Sequence, residues 1–419
     1  KVKILSFFNI IGRNGIIISW LIGIVVLLII LKSRKGGFNR SLLILKRDLF
    51  SHWWLTTGIL IILSITFFLA VQTPPNVNDS LEYHLRKIEH WIQNGNTDNY
   101  STSILPQLYL APFAEYLILN VKVLTGSDRL DNIVQWVAFL CSLLVISSIA
   151  KSFKLSQRDQ LLAVFLASTL PMAILQATST QNDMVATFYS LITVYYFLKL
   201  RQPVQPYLLI SILLACSAGL SLFTKGTTYF YLSGFFIVFA FSQMQDSFKK
   251  AVMIIIISLI VMITINLPLY INNYELSGNI FGFDQSDNMF KNQVLNFGTY
   301  FSNLIRNISL HIQIPSLFIN DFFSQGVSEI LHWLNINPDD PANTFGKSKF
   351  HIPFLSFSEG TTGNFLHLLL ISLTIFFGLT RIGQFSARTF LKVSNMKLYT
   401  ISIFISFSFF CVFLKWQPW

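Results

Sequence analysis

The chain has 419 residues, 53% of them hydrophobic and only 12% charged, with 41 Phe against 20 Gly and a mean hydropathy of +0.57. Soluble domains carry about 25% charged residues. This composition therefore cannot cover a water-facing surface, and it excludes a disordered chain, a collagen, a disulfide scaffold and a nucleic-acid-binding domain despite a net charge of +11. It fits an all-α polytopic membrane protein.

A helix that crosses the hydrocarbon core needs roughly 20 mostly apolar residues, and about ten stretches meet that need. In chain order they are Ile16 to Leu31, Trp53 to Val71, Asn132 to Ala150, Gln160 to Gln176, Met184 to Leu198, Tyr207 to Phe223, Thr227 to Phe241, Ala251 to Tyr270, Asn364 to Thr380 and Leu398 to Leu414. None has the form of a cleavable signal peptide. Lys and Arg collect in alternate connections: Lys32, Arg34, Lys35, Arg40, Lys46 and Arg47; then Lys151, Lys154 and Arg158; Lys199 and Arg201; Lys249 and Lys250; and Arg381, Arg388, Lys392 and Lys397. Positive residues are retained on the cytoplasmic side, so these linkers are read as cytoplasmic and the net charge mostly as anchoring.

The alternation closes only if Gln107 to Leu124, with Pro112, Glu115, Asn120 and Lys122, does not cross. That stretch is expected to lie at the interface or to re-enter it. The organisation that follows is a first span and basic cytoplasmic linker over 1–52, a transmembrane module over 53–270 with an outer loop at 72–131, an outer segment over 271–363, and C-terminal spans over 364–419. Both outer segments are polar enough to fold outside the membrane. The later one is Asn- and Phe-rich, with weak helical patches at Gln293 to Ile312 and Asp321 to Leu334. A start at Lys1 and a stop at Trp419 just after an apolar stretch are what a trimmed fragment would show.

The polar residues at the span edges gather on the outer side. Asp79, Glu82, Tyr83 and Arg86 begin the first outer segment, Gln181, Asn182 and Asp183 form the next outer turn, and Thr224 and Lys225 the one after. Charges close to hydrocarbon are costly and mark functional sites. Asp79 and Glu82 also suit an N-cap and a capping box. Against that reading, Tyr83, Arg86 and His90 follow Asp79 at helical intervals and make a polar stripe suited to a polar ligand. Asp183 is likewise a possible cap, and Lys225 either snorkels to the interface or meets a lipid phosphate as a point charge. Spacing leaves these alternatives open.

Other features carry less. Cys141, Cys216 and Cys411 lie in apolar runs and form no disulfide or zinc pattern. The histidines are scattered, with His84 and His90 read as packing or hydrogen-bonding groups; Asp339-Asp340 reads as a turn. No metal site, phosphate loop or serine elbow is expected.

The outer motifs resemble the polytopic GT-C glycosyltransferases, in particular the branch of protein O-mannosyltransferases and aminoarabinose transferases of lipid A. Asn78-Asp79-Ser80-Leu81-Glu82-Tyr83 resembles the start of that family's first outer loop, Leu108 to Tyr116 its later proline-containing segment, Thr180-Gln181-Asn182-Asp183-Met184 its second acidic position, and Gly219 to Gly226 its run ending in Thr-Lys-Gly. The resemblance runs from about Trp53 to Tyr270. It implies a GT-C bundle that moves a sugar from a polyprenyl-phosphate donor to a glycan, lipid or protein acceptor, with inversion, at the outer face. Asp79 would be the catalytic base, Lys225 and Arg86 would bind the donor phosphate, and Asp183, Asn182, Glu82 and Tyr83 would bind or orient sugar or acceptor. No cofactor is implied, because Asn-Asp-Ser replaces the pair of acids that metal dependence would call for. A bacterial plasma membrane with the active face toward the periplasm or exterior is the expected setting, with the endoplasmic reticulum as the other. A transporter or lipid flippase is the competing reading, and it would show an internal repeat and midplane charges.

Overall fold

The computed structural model describes residues 1–33, 52–202, 206–283, 290–346, 348–354, 356, 358, 362–380 and 394–417. The basic residues expected on the cytoplasmic side at 34–51 and 381–393, and the terminal residues 418–419, lie outside the described residues. Every named element is helical: α1 (Val2–Phe7), α2 (Arg13–Ser33), α3 (Trp53–Gln72), a π-helical turn (Ser80–His84) continued by α4 (Leu85–Asn94), α5 (Pro106–Tyr109), α6 (Phe113–Thr125), α7 (Ile133–Ser152), α8 (Gln157–Ser168), α9 (Pro171–Ala177), α10 (Asp183–Leu200), α11 (Tyr207–Leu222), α12 (Thr228–Asp246), α13 (Phe248–Ser277), α14 (Phe297–Leu310), α15 (Leu317–Trp333), α16 (Phe365–Leu379) and α17 (Ser394–Phe413). Only a helix or a closed barrel satisfies its own backbone in hydrocarbon, and each of the expected spans is helical.

Among the described residues, α3, α7, α13 and Asn395–Phe413 of α17 are both long and apolar enough to cross a membrane; Arg13–Ile29, Tyr207–Leu222 and Phe365–Gly378 are apolar but shorter. The expected span at 160–176 is interrupted between α8 and α9. Pro171 removes a backbone donor there, and the residue before a proline is pushed out of the helical region. α10 and α12 fall outside both sets: α10 includes Asp183 and Lys199, and α12 ends in Ser242-Gln243-Met244-Gln245-Asp246. α6 has 13 residues, or about 20 Å at ~1.5 Å per residue, short of the ~30 Å core. It begins after Pro112 and stops at Gly126, whose φ of 70° suits glycine.

The chain divides into two compact units. The first comprises Lys1–Thr169, Gln176–Leu191 and Phe223–Lys225. In it α3 packs on α7 and α8, and α6 packs on α2 and α4. The Trp136 indole of α7 donates to Thr66 Oγ1 of α3 at 3.1 Å. The residues before α2 are fixed to the end of α4: Ile11 N donates to Gly95 O at 2.9 Å, and Thr97 N donates to Ser6 Oγ at 2.8 Å.

The second unit comprises Leu170–Leu175, Ile192–Leu222 and Gly226–Trp419. Its closest helix pairs are α12 with α17 and α11 with α13. At the first, Gly234 N donates to Ser406 Oγ at 3.1 Å, and that hydroxyl donates to Tyr231 O at 2.8 Å. Small residues let membrane helices approach this closely. A Cβ on Gly234 would run into the Ser402 carbonyl and lie 2.7 Å from Ser406 N, both backbone atoms that cannot swing aside. Gly234→Ala is therefore expected to lower stability by about 1–3 kcal/mol through overpacking, more than Ser406→Ala does. Thermal unfolding of the detergent-solubilised variants checks the order.

Candidate active site

The site is built in the first unit from three backbone irregularities. The chain leaves α3 in an extended run at Thr73 to Val77, and helix resumes at Asn78. Asp79 has φ −59° and ψ −41° and makes no capping hydrogen bond with its side chain. The capping box open to the sequence does not form, since a cap residue needs a non-helical backbone. The Asp79 carboxylate instead accepts from Tyr83, four residues on. The intervening turn, Ser80–His84, is π-helical, a local widening that recurs at functional sites.

Tyr83 is the meeting point. Its hydroxyl is raised far above its ordinary value, first by burial and then by the charge and hydrogen bond of Asp79, with Asp183 and Glu115 adding to the effect. It therefore stays protonated and donates. Asp183 stands at the first position of α10 and holds Lys225 Nζ at 2.6 Å, with both side chains about one-third exposed at 31% and 34%. Lys225 does not simply snorkel. The second Asp183 oxygen, Oδ2, is buried without a hydrogen bond. The strand of loop carrying Lys225 is fixed twice: Asn182 Nδ2 donates to Thr224 O at 3.0 Å, and Phe113 N donates to Phe223 O at 3.1 Å.

Beneath the turn lies a buried charged group. His84 Nδ1 is 2.8 Å from Glu115 Oε1, with both side chains almost wholly buried. Lys87, also buried, donates to Leu110 O at 2.8 Å. Burial pushes the Lys87 ammonium down to about 8, partly offset by Glu115. Burial alone would raise the Glu115 carboxyl, but its hydrogen bond to His84 and the charges of His84 and Lys87 hold it below its ordinary value. Gln107 of α5 donates to Glu82 O at 2.6 Å and ties the turn to the next segment.

Of the residues singled out in the sequence, Asp79, Tyr83, Asp183 and Lys225 come together. Arg86 and Glu82 are exposed, and among the described residues neither side chain has an ion-pair partner. Asn182 is buried and holds the Lys225 loop. Glu115, His84, Lys87 and Gln107 were not candidates. The available signal for Glu115 was a carboxylate in a mostly apolar helix, which had served only to argue against a crossing. Among the described residues, no three His, Cys, Asp or Glu side chains cluster as metal ligands would.

Comparison with known proteins bears on this constellation. Residues 110–271 match the family of dolichyl-phosphate-mannose-protein mannosyltransferases. The match supports a GT-C glycosyltransferase and indicates a membrane enzyme of the mannosyltransferase-like kind. It takes in Glu115, Asp183 and Lys225, and it begins after the Asp79 turn. No curated protein and no solved structure gives a match.

The buried pair has a pH signature. Glu115 titrates lower in the fold than its unfolded value of 4.5, so its stabilisation is complete above that value and drains away as pH falls through the folded one. Glu115→Gln should cost about 1.5–3 kcal/mol at neutral pH, the worth of a hydrogen bond to a charged group, and flatten that acid limb. Thermal midpoints of both proteins across the acidic range test it; parallel profiles would mean that Glu115 carries no charge.

Proposed function

We propose that the chain transfers a sugar, in the first instance mannose, from a polyprenyl-phosphate donor to an acceptor at the outer face of the membrane, with inversion at the anomeric carbon. The observation that carries the reading is the convergence of Asp79 and the Asp183–Lys225 pair around Tyr83, within a chain whose residues 110–271 match mannosyltransferases that use dolichyl-phosphate-mannose. A base and a cation near one protonated phenol are the parts that displacement of a phosphate from the anomeric carbon needs.

In this reaction the acceptor hydroxyl gives its proton to Asp79 as its oxygen forms a bond to the anomeric carbon. The bond from that carbon to the phosphate oxygen breaks, and polyprenyl phosphate leaves with the electron pair. Tyr83 satisfies one side of the Asp79 carboxylate and keeps it aimed. Lys225 stabilises the charge that grows on the leaving phosphate, where preorganised donors have their largest effect; Arg86, exposed beside the turn, supplies a second cation once a donor is bound. Asp183 orients Lys225. Because the sugar arrives on a lipid, the chain needs no nucleotide-binding fold. A bacterial plasma membrane, with this face toward the periplasm or exterior, is the proposed setting.

Asp79→Asn keeps the shape and an acceptor for Tyr83 but removes the base, and general-base help contributes ~10²–10⁴ in rate. Transfer from radiolabelled mannosyl polyprenyl phosphate to peptide and glycolipid acceptors should therefore fall to background in Asp79→Asn, with thermal stability unchanged. Retained transfer at the same stability would remove Asp79 from the mechanism. Lys225→Met should both weaken donor binding and slow turnover.

A further inference from the structure

In the second unit, α14 and α15 are amphipathic in the opposite sense to helices that face water. On α14, Thr299, Ser302, Asn303, Arg306 and Ser309 recur every three or four residues and are all buried. Their polar groups are met inside: Asn303 Nδ2 donates to Cys411 O at 2.8 Å and Leu414 O at 3.0 Å, and Arg306 donates to Thr344 Oγ1 at 2.8 Å, to Asn303 Oδ1 at 2.6 Å and to Pro338 O. At 3.6 residues per turn the opposite face carries Phe297, Phe301, Leu304, Ile305 and Ile308, with Phe297 78% exposed.

α15 divides into three sectors. Asn320, Ser324 and Leu331 are buried; Asn320 Nδ2 donates to Pro353 O at 3.0 Å, and Ser324 Oγ accepts from Ile352 N at 2.8 Å. One outward flank holds Asp321, Gln325, Glu329 and His332. The other holds Ile319, Phe322, Phe323, Ile330 and Trp333, all exposed, with Trp333 at 83% and Phe318, on the boundary, at 81%. Water-facing helices place such side chains on the core and polar ones outside. A polar inner face with an apolar outer one matches surroundings of hydrocarbon, and an apolar flank beside a charged flank is the pattern of a helix lying in a membrane interface.

Continuity with a spanning helix identifies what covers these faces. α14 rests on α17 through Asn303 and through a hydrogen bond between Tyr300 and Ser408 at 3.2 Å. α17 is apolar enough to cross and exposes Ile401, Ile403 and Phe404. The apolar face of α14 thus sits beside a helix that itself exposes apolar side chains and is long enough to cross a bilayer.

We infer that the α14–α15 pair is seated in the membrane interface: the Phe297–Ile308 face of α14 lies against acyl chains, and α15 lies along the surface with Phe322, Ile330 and Trp333 among the lipid and Asp321, Glu329 and His332 toward water. The occupant of these faces is the bilayer that holds the chain, and the inference stands apart from the transferase reading.

The test is spin-label accessibility in the full chain, reconstituted into vesicles of mixed zwitterionic and anionic phospholipid, with Cys141, Cys216 and Cys411 replaced by Ala. Labels at Phe322→Cys and Trp333→Cys should collide severalfold more often with oxygen than with a water-soluble nickel chelate, and labels at Asp321→Cys and Glu329→Cys should show the reverse. A preference for the chelate at Phe322 and Trp333 would place α15 in water, and protection from both reagents would place a protein partner there; either overturns the inference. If the cysteine-free chain does not fold, quenching by lipids brominated along the acyl chain decides instead: Trp333→Phe should remove a strongly quenched part of the fluorescence, and an unchanged quenched fraction would count against it.

Discussion

Every peptide group set against hydrocarbon must find its partner within the chain, and this requirement shapes both the helices and the places where they stop. Where the backbone of the first unit leaves regular helix, a side chain takes up the carbonyl left over. Lys87 meets Leu110 O ahead of α6, Gln107 meets Glu82 O in the π turn, and Asn182 meets Thr224 O beside Lys225. These three contacts also hold the acidic turn, the α6 segment and the lysine loop in register. The groups that repair the backbone are therefore the groups that build the candidate site.

The His84–Glu115 pair deepens that link. Tyr83 and His84 are neighbours in sequence, one bonded to Asp79 and the other to a buried carboxylate. A buried ion pair is often no more stabilising than apolar side chains of similar volume, whereas removing one partner leaves an uncompensated charge. Its consequence here is placement: any rotation of the turn that carried Tyr83 away from Asp79 would also pull His84 off Glu115. Lys87, depressed to about 8 by burial, adds a positive group that helps keep the carboxylate ionised.

Much of the fold was legible in the sequence because runs of apolar residues and the distribution of Lys and Arg are one-dimensional signals. The helices appeared where the runs were, and the stretch expected not to cross holds a helix of only 13 residues. The break at Pro171 was equally visible in principle, yet hydropathy does not register a missing backbone donor. In the site, Asp79, Asp183 and Lys225 stood out because charges at span edges are rare. Their association, and the contribution of Glu115 and His84, depend on contacts between residues 31 apart for the buried pair and 42 apart for the lysine and its carboxylate, which no local spacing encodes. The inward-facing polar stripes of α14 and α15 were hidden for a related reason: periodicity tells that a helix has two faces but not which one meets the rest of the protein.

The Asp183–Lys225 pair has an energetic property that suits the proposed reaction. One-third exposed, it contributes no more than about 1 kcal/mol, so an arriving phosphate can engage Lys225 at little cost. A lipid-borne donor also displaces water from the site, and the attraction between unit charges at 4 Å then grows from about 1 kcal/mol in water to about 4 kcal/mol at an effective dielectric near 20. The added attraction is largest when the phosphate gains its second charge, as the glycosidic bond breaks. Binding that strengthens with the charge of the leaving group accelerates the chemical step rather than merely tightening the ground state. On this argument the exposure of the ion pair before the donor binds is part of how Lys225 distinguishes the transition state from the substrate.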